Sequence, residues 1–170
     1  LINGARPCQN TKFFYGAAMA SLPDQQEEQC VSAAFKVLVE SPYGALTKAE
    51  INRNIRYARA ALHDCFKRGE LPWCSHLLYT QPGVLDDSTP AERNLGIAAG
   101  LEWGKAADKT VVYVDLGISR GMAYGIESAQ KAGRPIEYRG IPFNELAKFR
   151  LKRHWFISTP TPVSRLENWA

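Results

Sequence analysis

The stretch from Lys109 to Tyr138 leaves a chain like this few folds to choose from. It opens with the β-branched apolar run Lys109-Thr-Val-Val-Tyr-Val-Asp115 and passes through the Gly-rich turn Leu116-Gly-Ile-Ser-Arg-Gly121. Apolar residues then recur at helical spacing until Gly133 and Pro135 stop the helix before a second short strand. This pattern predicts a βαβ unit. In such a unit the side chain that ends the first strand, here Asp115, and the N–H groups that open the helix, here near Gly121 and Met122, meet in one crevice suited to an anionic or polar ligand.

With 170 residues, 45% hydrophobic and 22% charged, the chain is long enough for one packed domain and short for two. Its formal charge of +4 is modest and its basic residues are scattered, so nucleic acid is not expected as a partner. The four cysteines, Cys8, Cys30, Cys65 and Cys74, show no Cys-x-x-Cys spacing, and neither a metal site, a cofactor nor a disulfide framework is expected. No apolar run approaches the ~20 residues that span a bilayer, and no signal-peptide pattern opens the chain. The expectation is a cytoplasmic protein without a membrane partner.

Residues 1–35 read as a leader with a short helix between Pro23 and Ala34, and Met19 is a candidate start. Lys36 to Glu40 reads as a strand, stopped by Pro42 and Gly44. Thr47-Lys-Ala-Glu50 has the form of a capping box opening a helix that ends at Gly69, with Ile51, Ile55, Ala58, Leu62, Cys65 and Phe66 as its apolar stripe. Leu71 to Tyr79 reads as a second strand, followed by an irregular connection through Asp86 and Asp87. Thr89-Pro-Ala-Glu92 reads as a second capping box, starting a helix that runs through Leu95 and Trp103 to Gly104. After residue 140, one more helix is expected over Pro142 to Arg153, followed by an extended tail.

Strands alternating with helix-length crossovers predict an α/β fold, a three-layer Rossmann-like or flavodoxin-like domain with a mostly parallel sheet over residues 36–140. Right-handed crossovers gather the strand carboxyl ends at one edge. Glu40 to Tyr43, His76 with the loop to Asp87, and Asp115 to Gly121 share that edge, which implies a small polar ligand.

The segments Val37-Leu-Val-Glu-Ser-Pro-Tyr43, Val112-Tyr-Val-Asp115 and Ser119-x-Gly121-x-x-Tyr124-x-x-x-x-Ala129-x-x-x-Gly133-Arg-Pro135 together resemble the nucleoside 2-deoxyribosyltransferase superfamily. That superfamily includes a nucleotide N-glycosidase branch and small phage and bacterial relatives, and the likeness covers about residues 36–139. The resemblance implies cleavage or exchange at the N-glycosidic bond of a nucleoside or nucleotide through a carboxylate nucleophile, in a homo-oligomer. It implies that Asp115 handles the base or its proton and that Pro42 and Tyr43 line the base pocket. Ser119 matches the nucleotide-using branch, where a hydroxyl beside a helix N-terminus suits phosphate. Ser41, Arg120, Gly121 and Met122 complete the expected binding set.

The chain departs from the family pattern at Gly125, which stands where the nucleophilic glutamate is expected. Glu127 is two residues on, about 200° around the helix, and reads as a solvated carboxylate or a displaced catalytic one. Glu40, at the end of the first strand, is the other candidate for the nucleophile. His76 reads equally as a core histidine or a site residue. Asp86 and Asp87 either hold a sugar hydroxyl or brace their loop, and Arg120 either clamps phosphate or is a plain turn residue. Two functions follow: an enzyme of N-glycosidic chemistry, or a nucleotide-binding module that has lost its nucleophile.

Overall fold

The computed structural model describes residues 34–156, and the expected leader helix, Cys8, Cys30 and the tail beyond Phe156 lie outside them. The elements in order are β1 (Lys36–Glu40), α1 (Lys48–Lys67), β2 (Leu71–Trp73), α2 (Ser75–Tyr79) and α3 (Pro90–Gly104). They continue with β3 (Lys109–Tyr113), α4 (Arg120–Lys131), β4 (Ile136–Arg139), α5 (Phe143–Lys148) and a 3-10 turn at Arg153–Trp155. The four strands form one parallel sheet in the order β2-β1-β3-β4. Helices cover both faces, as expected of a Rossmann-like or flavodoxin-like domain. The chain leaves β1 toward β2 and then crosses back to β3, so the strand order reverses between β1 and β3, where such sheets open a crevice at their carboxyl ends.

Strand alternation sorts the core into two layers. Val37, Val39, Val111 and Tyr113 face α1, where Tyr57, Ala58, Ala61 and Cys65 meet them, and Ile141, Leu146 and Leu151 from the segment after β4 close the same layer. Val112 faces the other way, onto Met122 and Ile126 of α4. Each fully buried Val or Met contributes roughly 1.5–3 kcal/mol.

Arg139, Glu70, Lys109 and Glu137 tie the strands together. Arg139 makes two 2.7 Å bonds to buried Glu70, and Lys109 reaches Glu70 at 2.7 Å and Glu137 at 2.8 Å. Burial acts to raise the Glu70 carboxyl, but its bonds to Arg139 and Lys109 outweigh that and hold it below the usual carboxylate range.

The structure corrects four local expectations. The second strand stops at Trp73, and Ser75–Tyr79 is a helical turn rather than strand. Glycines on α3 explain the change. A Cβ at Gly100 would stand 2.9 Å from the Ser75 side chain, so only a bare backbone there lets α2 fold down onto α3. The first capping box forms as expected, whereas Thr89 makes no side-chain cap. Glu92 instead accepts from the Asp86 N–H at 2.7 Å, because the preceding loop turns back over the helix start.

The buried side of α1 is Asn54, Tyr57, Ala58, Ala60, Ala61 and Cys65, while Phe66 is exposed. Three alanines let the helix lie close to the sheet, and the polar ends of Asn54 and Tyr57 find partners inside; of the expected stripe Ala58 and Cys65 are buried and Leu62 packs at the core's edge, while Ile51 and Ile55 are only partly covered. Leu95 and Trp103 of α3 are likewise exposed, and its glycines face inward. Of the helix expected over residues 142–153, only Phe143–Lys148 and the turn at Arg153–Trp155 are helical.

Candidate functional site

Glu40 ends β1 on the face covered by α4, directly across from Gly125. A Cβ on Gly125 would overlap Glu40 Oε1 and stand 2.6 Å from its Cδ. The glycine is therefore a requirement of the Glu40 carboxyl, which fills the space from which a side chain at position 125 would start. A buried glycine inside a helix costs about 1 kcal/mol relative to alanine, and this contact is the reason for it. Glu40 has no hydrogen bond and no ion pair among the described residues. Burial pushes its pKa up to about 8, with the charge of Arg134 pulling in the opposite direction. At neutral pH the carboxyl is mostly protonated, and it is poised to change state in the range where acid–base and nucleophilic carboxyls work.

Ser41 and Pro42 are buried next to Glu40. Ser41 Oγ lies 3.2 Å from His76 Nε2, and Cys74 Sγ lies 3.4 Å from the same nitrogen. Burial drives His76 down to about 4, so the imidazole is neutral at physiological pH, and burial pushes the Cys74 thiol far up, so it stays protonated. The Tyr43 ring stands 5.5 Å from the His76 ring, centroid to centroid, and the Tyr43 carbonyl accepts from Asn54 Nδ2 at 2.8 Å. His76 is thus both a hydrogen-bonded interior residue and a neighbour of the β1 turn.

At the start of α4, Ser119 is the N-cap and its Oγ accepts from the Met122 N–H at 3.3 Å. That N–H is occupied, which leaves the backbone donors of Arg120 and Gly121 open at the helix end. Arg120 is exposed.

Asp115 is placed differently from the expectation of a shared crevice. It points to the α1 face, where Oδ2 accepts from Tyr57 Oη at 2.8 Å and from the Ile141 N–H at 2.9 Å. Its own N–H donates back to Tyr57 Oη at 3.0 Å, and Gly140 packs so closely that a Cβ there would stand 2.9 Å from Oδ1. Burial raises the pKa of Asp115, opposed by these hydrogen bonds. The carboxylate therefore clasps the end of β3 to α1 and to the segment after β4.

Glu127 is exposed on the outer face of α4 and pairs with Lys131. Asp86 accepts from the Ser88 N–H and Oγ, at 2.9 and 2.7 Å, and Asp87 pairs with Arg93. These three carboxylates are occupied locally and away from Glu40.

Asn54, Cys74 and Arg134 were not singled out from sequence as site residues. An asparagine at an inward helical position was a usable signal for Asn54, since a buried amide needs partners. The other two stand in apolar or turn contexts, and only the three-dimensional packing brings them to Glu40. A separate groove of about 360 Å³ runs along β2 between Phe66, Trp73 and Trp103, but it offers few polar groups and lies away from the strand carboxyl ends.

Among the described residues no helix is long and apolar enough to cross a membrane, and no group of three or more His, Cys, Asp or Glu side chains is arranged to hold a metal. Comparisons with curated proteins and with solved structures give no match. A comparison with protein families matches residues 35–139 to one described as a domain of unknown function, DUF7768, the span from β1 through β4 that builds the sheet. With well over half of its length matched, the chain belongs to the DUF7768 family.

Proposed function

We propose that the protein acts on the N-glycosidic bond of a deoxynucleoside monophosphate, with Glu40 as the nucleophilic carboxyl. The observation that carries this reading is the contact between Glu40 and Gly125: the position that lacks the expected glutamate is filled, from the neighbouring strand, by the end of another one.

The ionised carboxylate would attack C1′ as the C1′–N bond breaks, and the base would leave with the bonding pair and take a proton from solvent. Water would then attack C1′ of the glycosyl ester, releasing the sugar phosphate and restoring the carboxylate. Ser119 with the open N–H groups of Arg120 and Gly121 suits the phosphate, since a helix N-terminus without a carboxylate favours an anion. Tyr43 offers an aromatic face for the base beside a neutral His76. Asp115, held on the opposite face, acts as a structural clasp in this scheme.

The test is incubation with a panel of deoxynucleosides and their monophosphates, with free base followed by chromatography. Base release from monophosphates by the wild type, rising with pH through about 8 and lost in Glu40→Gln, is expected. Turnover that survives Glu40→Gln rejects Glu40 as nucleophile. Saturable binding of a monophosphate without any base release identifies a binding module instead.

A further inference from the structure

The guanidinium of Arg134 lies beneath α4 on the same face of the sheet as Glu40. Its Nε donates to Thr110 Oγ1 at 2.8 Å, and one terminal nitrogen donates to the Gly104 carbonyl, at the end of α3, at 2.7 Å. Gly104 leaves room for this approach: a Cβ there would stand 3.3 Å from the other terminal nitrogen, a tight contact. That nitrogen is buried and has no hydrogen-bond partner. A guanidinium cannot shed its proton, and among the described residues no carboxylate lies within ion-pair distance of this one. The carbonyl end of α3 offsets part of the buried charge. On the same face of the sheet, Glu40 is the carboxyl on which that charge acts.

Register fixes the relation between the two groups. Thr110 pairs with Leu38, and Glu40 pairs with Val112, so the guanidinium anchored on Thr110 sits one two-residue repeat, roughly 7 Å, below the level of Glu40. Leu38, on the same face between the two levels, is buried, and a partly buried path of this kind weakens the interaction less than open water would.

The other titratable groups near this face are Cys74, from the junction of β2 and α2, His76, which contacts Cys74 and Ser41, and Tyr138 of β4. Burial raises Cys74 and Tyr138 and lowers His76, so all three are neutral near pH 7. Arg134 is the charged neighbour.

Resting on Glu40 as the reactive carboxyl of the site, we propose that Arg134 is its positioning residue: locked onto Thr110 and Gly104, it supplies the partly buried positive charge against which the Glu40 carboxylate forms. Burial already holds Glu40 near 8 with Arg134 present, so removing the guanidinium leaves the carboxyl neutral further into the alkaline range.

The test is a side-chain carboxyl NMR titration of Glu40 in the full chain, compared among wild type, Arg134→Gln and Arg134→Lys. Glutamine keeps a donor for Thr110 or Gly104 and removes the charge. It is expected to weaken the Glu40 acid by about tenfold or more, and lysine is expected to return the midpoint toward wild type. A second readout covers the case in which the glutamine variant does not fold. In the wild type the Arg134 Nε resonance should titrate with the Glu40 midpoint, and in Glu40→Gln it should be flat. An unmoved Glu40 midpoint in folded Arg134→Gln, or an Arg134 resonance that ignores the Glu40 titration in the wild type, overturns the proposal. Neither readout needs turnover, so a protein that releases no base loses the enzymatic reading while the coupling between Arg134 and Glu40 is decided separately. Where base is released, the pH at half-maximal rate should move with the Glu40 midpoint.

Discussion

Two carboxyl groups end neighbouring strands of the sheet, and they are treated in opposite ways. Asp115 turns toward α1 and is held by Tyr57, the Ile141 N–H and the close backbone of Gly140. Glu40 turns toward α4, has no hydrogen-bond partner among the described residues, and is given room by a glycine. A carboxylate with two donors on one oxygen is committed to holding chain segments together, whereas a half-buried one without a hydrogen-bond partner is left for other work. Position at the carboxyl end of a strand therefore does not by itself separate the two acids. Their partners do, and the proposed function rests on that difference.

The largest expected effect tests the clasp. Asp115→Ala removes both hydrogen bonds to an ionisable acceptor and strands the Tyr57 hydroxyl and the Ile141 N–H, so it should destabilise the fold by about 3–4 kcal/mol in urea denaturation. Tyr57→Phe should lose about 1–2 kcal/mol by the same route. A change below ~1 kcal/mol in Asp115→Ala would remove the contrast between the two acids.

The pH dependence of stability sharpens the other side. The folded-state value of Glu40, about 8, lies above the ordinary 4.5, so the folded chain holds the proton longer than the unfolded chain does. Its contribution is full below about 4.5, falls as pH rises through the window to about 8, and is level above it. The total is on the order of a few kcal/mol. Glu40→Gln should flatten that slope, and an unchanged slope would show that Glu40 titrates normally.

The smallest expected effect on stability belongs to Gly125→Ala. The methyl group overlaps the flexible end of Glu40 and pushes it aside, while alanine improves the helix by about 1 kcal/mol, so the two changes should largely cancel. Base release should nevertheless fall steeply, because the carboxyl is displaced. Large destabilisation with intact activity would mean that the space at position 125 serves packing rather than Glu40.

The contrast between the acids also shows what the sequence could convey. The βαβ unit over Lys109 to Tyr138, the stop at Gly133 and the first capping box were legible because turn chemistry and periodicity act locally. The strand expected through His76 to Tyr79 was not, because an apolar run has no period to separate a strand from a helical turn, and the turn depends on Gly100 some two dozen residues later. Glu40 was legible as a candidate from its place at a strand end. Asp115 was expected to handle the base or its proton, since nothing local shows that Tyr57 and Ile141 will take its oxygen. Arg134 reads as part of a helix-ending turn, and its approach to Gly104 and Thr110 is set by three elements meeting.

The most direct measurement is to trap the covalent intermediate. The wild type is mixed with a deoxynucleoside monophosphate near pH 8 and quenched in acid, and the adduct is located by peptide mass mapping. A mass increase of one deoxyribose phosphate on the peptide that carries Glu40, missing in Glu40→Gln and retained in Glu127→Gln, is the predicted result. The same adduct on a peptide carrying Asp115 or Glu127, or base release with no adduct on Glu40 at any quench time, would contradict the assignment.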